Sequence, residues 1–214
     1  KCELKKRIFD IIDKSKIIDE RYYLKPDTYQ YNKMVDDIKD ENQIYRFSDY
    51  GITIAQILLT RSVIDNKERS RNASTTLELL LGQGIIPIVN ENDTLSNEQI
   101  KIGSNDTLAA TVAKLCRADL LINMSDINGL YDSDPRSNPE AKFIEYVETV
   151  TDEIFAMGAG AGTARGTGGM ATKLESARYV TERGIAMIIL NGANPEILYD
   201  VFDGDFVGTY FAAQ

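Results

Sequence analysis

The chain has 214 residues, 43% of them apolar and 27% charged, an ordinary globular composition with room for one domain around a buried core. Its formal charge of -9 argues against the clustered basic face that nucleic-acid binding needs, and its two cysteines, Cys2 and Cys116, lack any disulfide-framework or zinc-like spacing, which fits a reducing compartment. Histidine is absent, so Ser-His-Asp and Cys-His hydrolysis, His-ligated zinc and His general-base catalysis are excluded within the chain, leaving carboxylates, lysines and backbone groups to carry any reaction.

Residues 1–48 carry mixed charge without a glycine, and are expected to form two helices around Lys25 and Pro26. A different grammar begins at Asp49. ITIAQILLT (52–60) and GIIPIVN (84–90) predict buried strands, with a helix over RSRNASTTLELLLGQG (69–84) between them that ends at Gly82 and Gly84. The alternation continues with a helix over DTLAATVAKLCRA (106–118), a strand over DLLINMS (119–125), a helix over TKLESARYVTERG (172–184) and a strand over IAMIIL (185–190). This predicts an α/β domain over 49–214 with a mostly parallel sheet and helices on both faces. The apolar runs ITIAQILLT and GIIPIV are too short to span a bilayer, and KCELKKRIFD lacks a signal peptide's apolar core, so a cytoplasmic protein with no membrane partner is expected.

In such sheets ligands bind beyond the carboxyl ends of the strands. Asn90-Glu91-Asn92-Asp93 follows the second strand, Ser125-Asp126-Ile127-Asn128-Gly129 the third, and Asn191-Gly192 the last. These groups suit hydroxyls, an ammonium or magnesium, although Asn, Asp and Gly also form turns with no ligand at all.

Two further stretches stand out. Gly166-Thr167-Gly168-Gly169 precedes a helix carrying Lys173, a combination of open backbone N–H groups, positive helix end and lysine that suits phosphate oxygens. It is not a P-loop, because Thr172 rather than glycine precedes Lys173; a glycine-rich surface connection is the plain alternative. Ser104-Asn105-Asp106 opens the helix at 106, where Ser104 or Asn105 could cap the first turn and Asp106 could favour the helix dipole without binding anything.

The collinear set IPIVNENDTLSNEQIKIGSNDTLAATVAKLCRADLLINMSDINGLYDSDPRSNPEAKFI, GTGGMATKLESA and NGANPEI with VGTYF, over about 49–211, resembles the glutamate 5-kinases of the amino acid kinase family. The resemblance implies that family's three-layer sandwich and transfer of the γ-phosphoryl group of ATP, with Mg2+, to the side-chain carboxylate of L-glutamate, the first step of proline biosynthesis. It further implies that Asp93 and Asn105 hold glutamate, that Asp106 orients the catalytic lysines, and that Lys173 steadies the phosphoryl group. Ser125, Asp126, Thr167, Gly168, Gly169, Met170, Ala171, Thr172 and Lys173 would contact the nucleotide; Ala171 stands where serine is common, and no residue is assigned to a metal. Proline as feedback inhibitor and a homo-oligomer are implied in the same way. A glutamate carboxylate, with a pKa of about 4.3, is already an anionic nucleophile at neutral pH, so the reaction needs no general base and the missing histidines fit. The family's Lys-x-Gly loop and Ser-Gly-Ala-type loop find no counterpart in residues 1–48. That departure implies N-terminal strands missing or replaced and low turnover even with ATP bound, and keeps open a second reading as a nucleotide- or amino-acid-binding regulatory or assembly subunit.

Overall fold

The computed structural model describes residue 47 and residues 51–92, 102–159 and 169–214. The helices expected around Lys25 and Pro26, and the sites Asp93, Thr167 and Gly168, lie outside the described residues. The chain divides into two compact units, with the boundary between Lys101 and Ile102.

The unit on the N-terminal side of that boundary is built from β1 (Ile54–Leu59), a short α1 (Ser62–Asp65), α2 (Lys67–Gly82) and β2 (Ile86–Glu91). β1 and β2 pair in parallel from Ile54 opposite Ile86 to Leu59 opposite Glu91, so α2 is the crossover between them. α2 starts two residues earlier than the sequence pattern places it because Asn66 caps it, its Oδ1 accepting from the backbone N–H groups of Glu68 and Arg69 at 3.0 Å each. Leu77 is its fully buried residue.

The second unit holds α3 (Asn105–Cys116), β3 (Leu120–Ser125), β4 (Leu130–Tyr131), β5 (Phe143–Ile144), β6 (Tyr146–Val147), α4 (Asp152–Ala159), α5 (Met170–Thr181), β7 (Ala186–Asn191), α6 (Ile197–Asp203) and β8 (Gly208–Phe211). Its four-stranded sheet runs in the order β3-β7-β8-β6. β7 is flanked on both edges, and five of its six residues, Ala186 to Leu190, have no exposed surface, as the unbroken apolar run IAMIIL requires. Met187 and Ile189 share a core with Ala110 and Ala113 of α3 and with Leu174, Ala177 and Val180 of α5. The larger of these, Met187, Ile189, Leu174 and Val180, are fully buried, and each stabilises the fold by about 1.5 to 3 kcal/mol.

β3 and β7 are parallel, as expected, and β6 and β8 are also parallel to each other, but β7 and β8 are antiparallel. The chain reverses after α6, where Gly204 takes φ +70° at the C-cap and a few residues suffice to bring β8 back beside β7. α5 is anchored to α4 through Arg178, whose guanidinium donates to the Val150 carbonyl and to Asp152 and lies over the Phe155 ring.

Candidate functional site

The parallel register of β3 and β7 sets Ser125 opposite Asn191, so two strands present their carboxyl ends side by side. The side chain of Asn191 donates to Asn128 Oδ1 at 3.0 Å and accepts from the Ala193 N–H at 2.9 Å, and the Gly192 N–H donates to the Ser125 carbonyl at 2.8 Å. A Cβ at Gly192 would come within 2.9 Å of Met124 Cβ, so glycine is needed there for close packing of the two strand ends. Ser125 Oγ donates to Asp126 Oδ1 at 3.1 Å, and Asp126 and Asn128 are exposed. In the loop that follows, the backbone N–H and then the guanidinium of Arg136 hold the Asp134 carboxyl below its ordinary pKa; Asp134 is the main cause of the raised pKa of Arg136, with a smaller contribution from Asp126.

Against the same strands stand the first turns of two helices. Ser104 caps α3, its Oγ accepting from the Thr107 N–H at 3.2 Å. The cap is therefore Ser104 and not Asn105, which is the first residue of the helix and exposed, with no hydrogen bond from its side chain among the described residues. Asp106 follows, turned inward and 13% exposed. Its carboxylate meets Lys173, one turn into α5 and 12% exposed, with Nζ 3.1 Å from Oδ2 and 3.2 Å from Oδ1. Oδ1 also accepts from Asn123 Nδ2 at 2.6 Å. Asn123 is on β3 and only 8% exposed, so this amide is buried with its donor satisfied.

The start of α5 differs from that of α3. Its N-cap is Gly169, which offers no side chain, and the Thr172 hydroxyl donates to the Gly169 carbonyl at 3.0 Å rather than capping an N–H. A Cβ at Gly169 would meet nothing within 4 Å, so packing does not call for glycine at this position. The lack of a side chain there leaves the helix end open. The positive end of α5, its first N–H groups, which have no partner among the described residues, and the Lys173 ammonium are thus gathered near Asp106, an arrangement that attracts phosphate oxygens. Met170 packs against the hydrophobic core, so only its main chain is available to a ligand.

The structure thus brings together Asp106 and Lys173, with Gly169, Met170, Ala171 and Thr172 in the turn before the lysine. Asn123 is the member of the cluster that sequence reasoning passed over; its one signal is an amide within the apolar strand LLINMS.

The profile of the amino acid kinase family matches residues 22–191, beginning well before the 49–211 stretch in which the motifs lie. Among curated proteins, the chain is similar to a glutamate 5-kinase from Clostridium tetani, 53% identical over 167 residues, which are 78% of this chain and 62% of that protein. It is also similar to a glutamate 5-kinase from Clostridium perfringens, 49% identical over 172 residues, 78% of this chain and 64% of that protein. The chain therefore spans less than two thirds of the length of either relative. Among solved structures, a UMP kinase from Bacillus anthracis superposes with a TM-score of 0.57 at 14% identity, covering 86% of this chain and 67% of that one, which shows a shared fold.

Proposed function

The chain belongs to the amino acid kinase family, and from that premise we propose that it phosphorylates the side-chain carboxylate of L-glutamate with ATP. The observation that carries this reading is the Lys173–Asp106 pair, set where the open end of α5 meets the start of α3. The two clostridial relatives supply the choice of acceptor.

In the proposed reaction a glutamate carboxylate oxygen forms a bond to the γ-phosphorus as the bond from that phosphorus to the β,γ-bridging oxygen breaks, and ADP leaves with the electron pair. No proton has to be removed from the nucleophile. The demand is for positioning and for positive charge around the transferred group. Lys173 meets it: two of its three N–H donors are held by Asp106, and among the described residues no other acceptor takes the third. The N–H groups after Gly169 add fixed dipoles that need no reorganisation during transfer. Ser125 and Asp126, at the end of β3, are assigned to the nucleotide, and Thr167 and Gly168 with them. Asp93 and Asn105 are assigned to glutamate; the exposed side chain of Asn105, with no hydrogen bond among the described residues, is available for that role because Ser104 does the capping.

Among the described residues there is no group of three or more Asp, Glu or Cys side chains that could form a metal cage. Mg2+ would arrive on the nucleotide phosphates, usually taking one or two protein carboxylates as well, and would add positive charge on the phosphate oxygens. Proline as a feedback inhibitor, a homo-oligomer and a cytoplasmic location belong to the same proposal; no described helix is long and apolar enough to cross a membrane. The intact Lys173–Asp106 pair favours a catalyst over a regulatory nucleotide binder, because nucleotide binding alone does not need a lysine held by a carboxylate. Calorimetric titration of MgATP, followed by glutamate titration of the ATP-bound protein, tests the reading. It predicts binding of both ligands; saturable nucleotide binding with no glutamate binding would overturn the choice of acceptor.

A further inference from the structure

We propose that Asn123 is a positioning residue for phosphoryl transfer, its amide fixing the carboxylate of Asp106 and through it the ammonium of Lys173. The proposal rests on the kinase reading above and extends it to a residue outside the motifs that carried that reading.

The placement of Asn123 is costly unless its bond is made. It sits in the middle of β3 between Ile122 and Met124, 8% exposed, on the strand face shared with Leu121, which packs against the core of α3 and α5. A buried amide without a partner is destabilising. The amide meets that cost by donating to Asp106 Oδ1 at 2.6 Å, which is short for a neutral donor on a carboxylate.

What the bond accomplishes follows from which parts are rigid. β3 is locked to β7, buried from Ala186 to Leu190, by a continuous parallel ladder, with Asn123 opposite Ile189. Asp106 sits in the first turn of α3, and Lys173 hangs on a four-carbon stem. The bond from the sheet therefore sets the plane of the Asp106 carboxylate, and that plane sets where Nζ lies, nearly equidistant from both oxygens. An amide is suited to this because it is neutral. A second cation at position 123 would compete with Lys173 for the carboxylate, and an apolar residue would leave Oδ1 one donor short in a partly buried place. With the amide present, Lys173 is the one cation bonded to Asp106 among the described residues, and its remaining donor keeps a fixed direction.

The test uses the whole chain with two variants, the near-isosteric Asn123→Leu, which removes the donor, and Asn123→Asp, which sets a second carboxyl group against Asp106. Each is also combined with Lys173→Ala. Affinities for MgATP and MgADP are measured by calorimetry, and glutamate-dependent ADP release by coupled assay. Because Asn123 acts through Lys173 on the terminal phosphate, each single variant should lose about tenfold in ATP affinity, the scale of one charge-assisted bond, while ADP affinity stays unchanged. Turnover should fall by about 10- to 100-fold, the range a misplaced catalytic group produces, with KM for glutamate unaltered. In the Lys173→Ala background neither substitution should cause a further loss. Two results would overturn the proposal: ATP affinity in Asn123→Leu equal to that of the unmodified chain, or losses from Asn123→Leu and Lys173→Ala that multiply. Should the unmodified chain bind ATP and yet bind no glutamate, the acceptor assignment fails by itself, and the ATP-to-ADP comparison still decides the role of Asn123.

Discussion

Lys173 and Asp106, 67 residues apart in the chain, meet with Nζ within 3.2 Å of both carboxylate oxygens, each from the start of a different helix. A lysine held this way is aimed rather than merely paired, since two of its donors are fixed and a third is directed by them. Replacing Lys173 by alanine is expected to weaken MgATP binding by about 1.5 to 3 kcal/mol, the range for hydrogen bonds to charged groups. Calorimetry on the unmodified chain and the variant measures this, and equal affinities would contradict the assignment.

Ser104 and Asn105 are adjacent but have separate tasks. Ser104→Ala removes the acceptor of the Thr107 N–H and should cost about 0.5 to 2 kcal/mol of stability, read by denaturant unfolding, with glutamate affinity little altered. Asn105→Ala should do the opposite, lowering glutamate affinity without a change in unfolding midpoint, and Asp93→Ala should weaken glutamate while sparing ATP. Loss of ATP affinity with retained glutamate binding in either of the last two would reverse the assignment.

Thr209 is buried without exposed surface and bridges two segments: its Oγ1 accepts from the Leu130 N–H at 2.7 Å and donates to the Ile144 carbonyl at 2.6 Å. Thr209→Val keeps the shape but orphans a buried N–H, and a loss of about 1 to 3 kcal/mol is expected in chemical unfolding. Gly129→Ala should be worse than a cavity-neutral change, because Gly129 has φ +149° and an added Cβ would lie 2.5 Å from Thr209 Oγ1 and 2.9 Å from the Phe143 ring. Unchanged midpoints in both variants would show that this bridge does not hold the β4–β5 segment in place.

Much of this was legible in the sequence because burial on both faces writes an unbroken apolar run, as in IAMIIL, and because α3 and α5 announce themselves by period. β6 and β8 were not, since a two-residue strand has no period, and GTYF offers a glycine and a threonine where a buried strand is expected to be aliphatic. Thr209 is there for its hydroxyl, not for its fit to the strand. The start of α5 at Met170 rather than Thr172 was hidden by Gly169, which marks the cap without providing one. Within the site, Asp106 and Lys173 could be named from motif resemblance, but no spacing rule predicts that Asn123 would meet them; that contact exists only once α3 is laid on β3.

Transfer of the γ-phosphoryl group of ATP to a glutamate carboxylate, as proposed above, is tested best by following the phosphorus itself. The chain is incubated with γ-labelled ATP, Mg2+ and glutamate, and the acyl phosphate is trapped with hydroxylamine, so that the identity of the acceptor is read independently of the rate. The expected result is γ-glutamyl hydroxamate formed in step with released phosphate and ADP, dependent on glutamate and abolished or greatly reduced in Lys173→Ala. ATP that binds and is cleaved at the same rate with and without glutamate, with no hydroxamate formed, would contradict it.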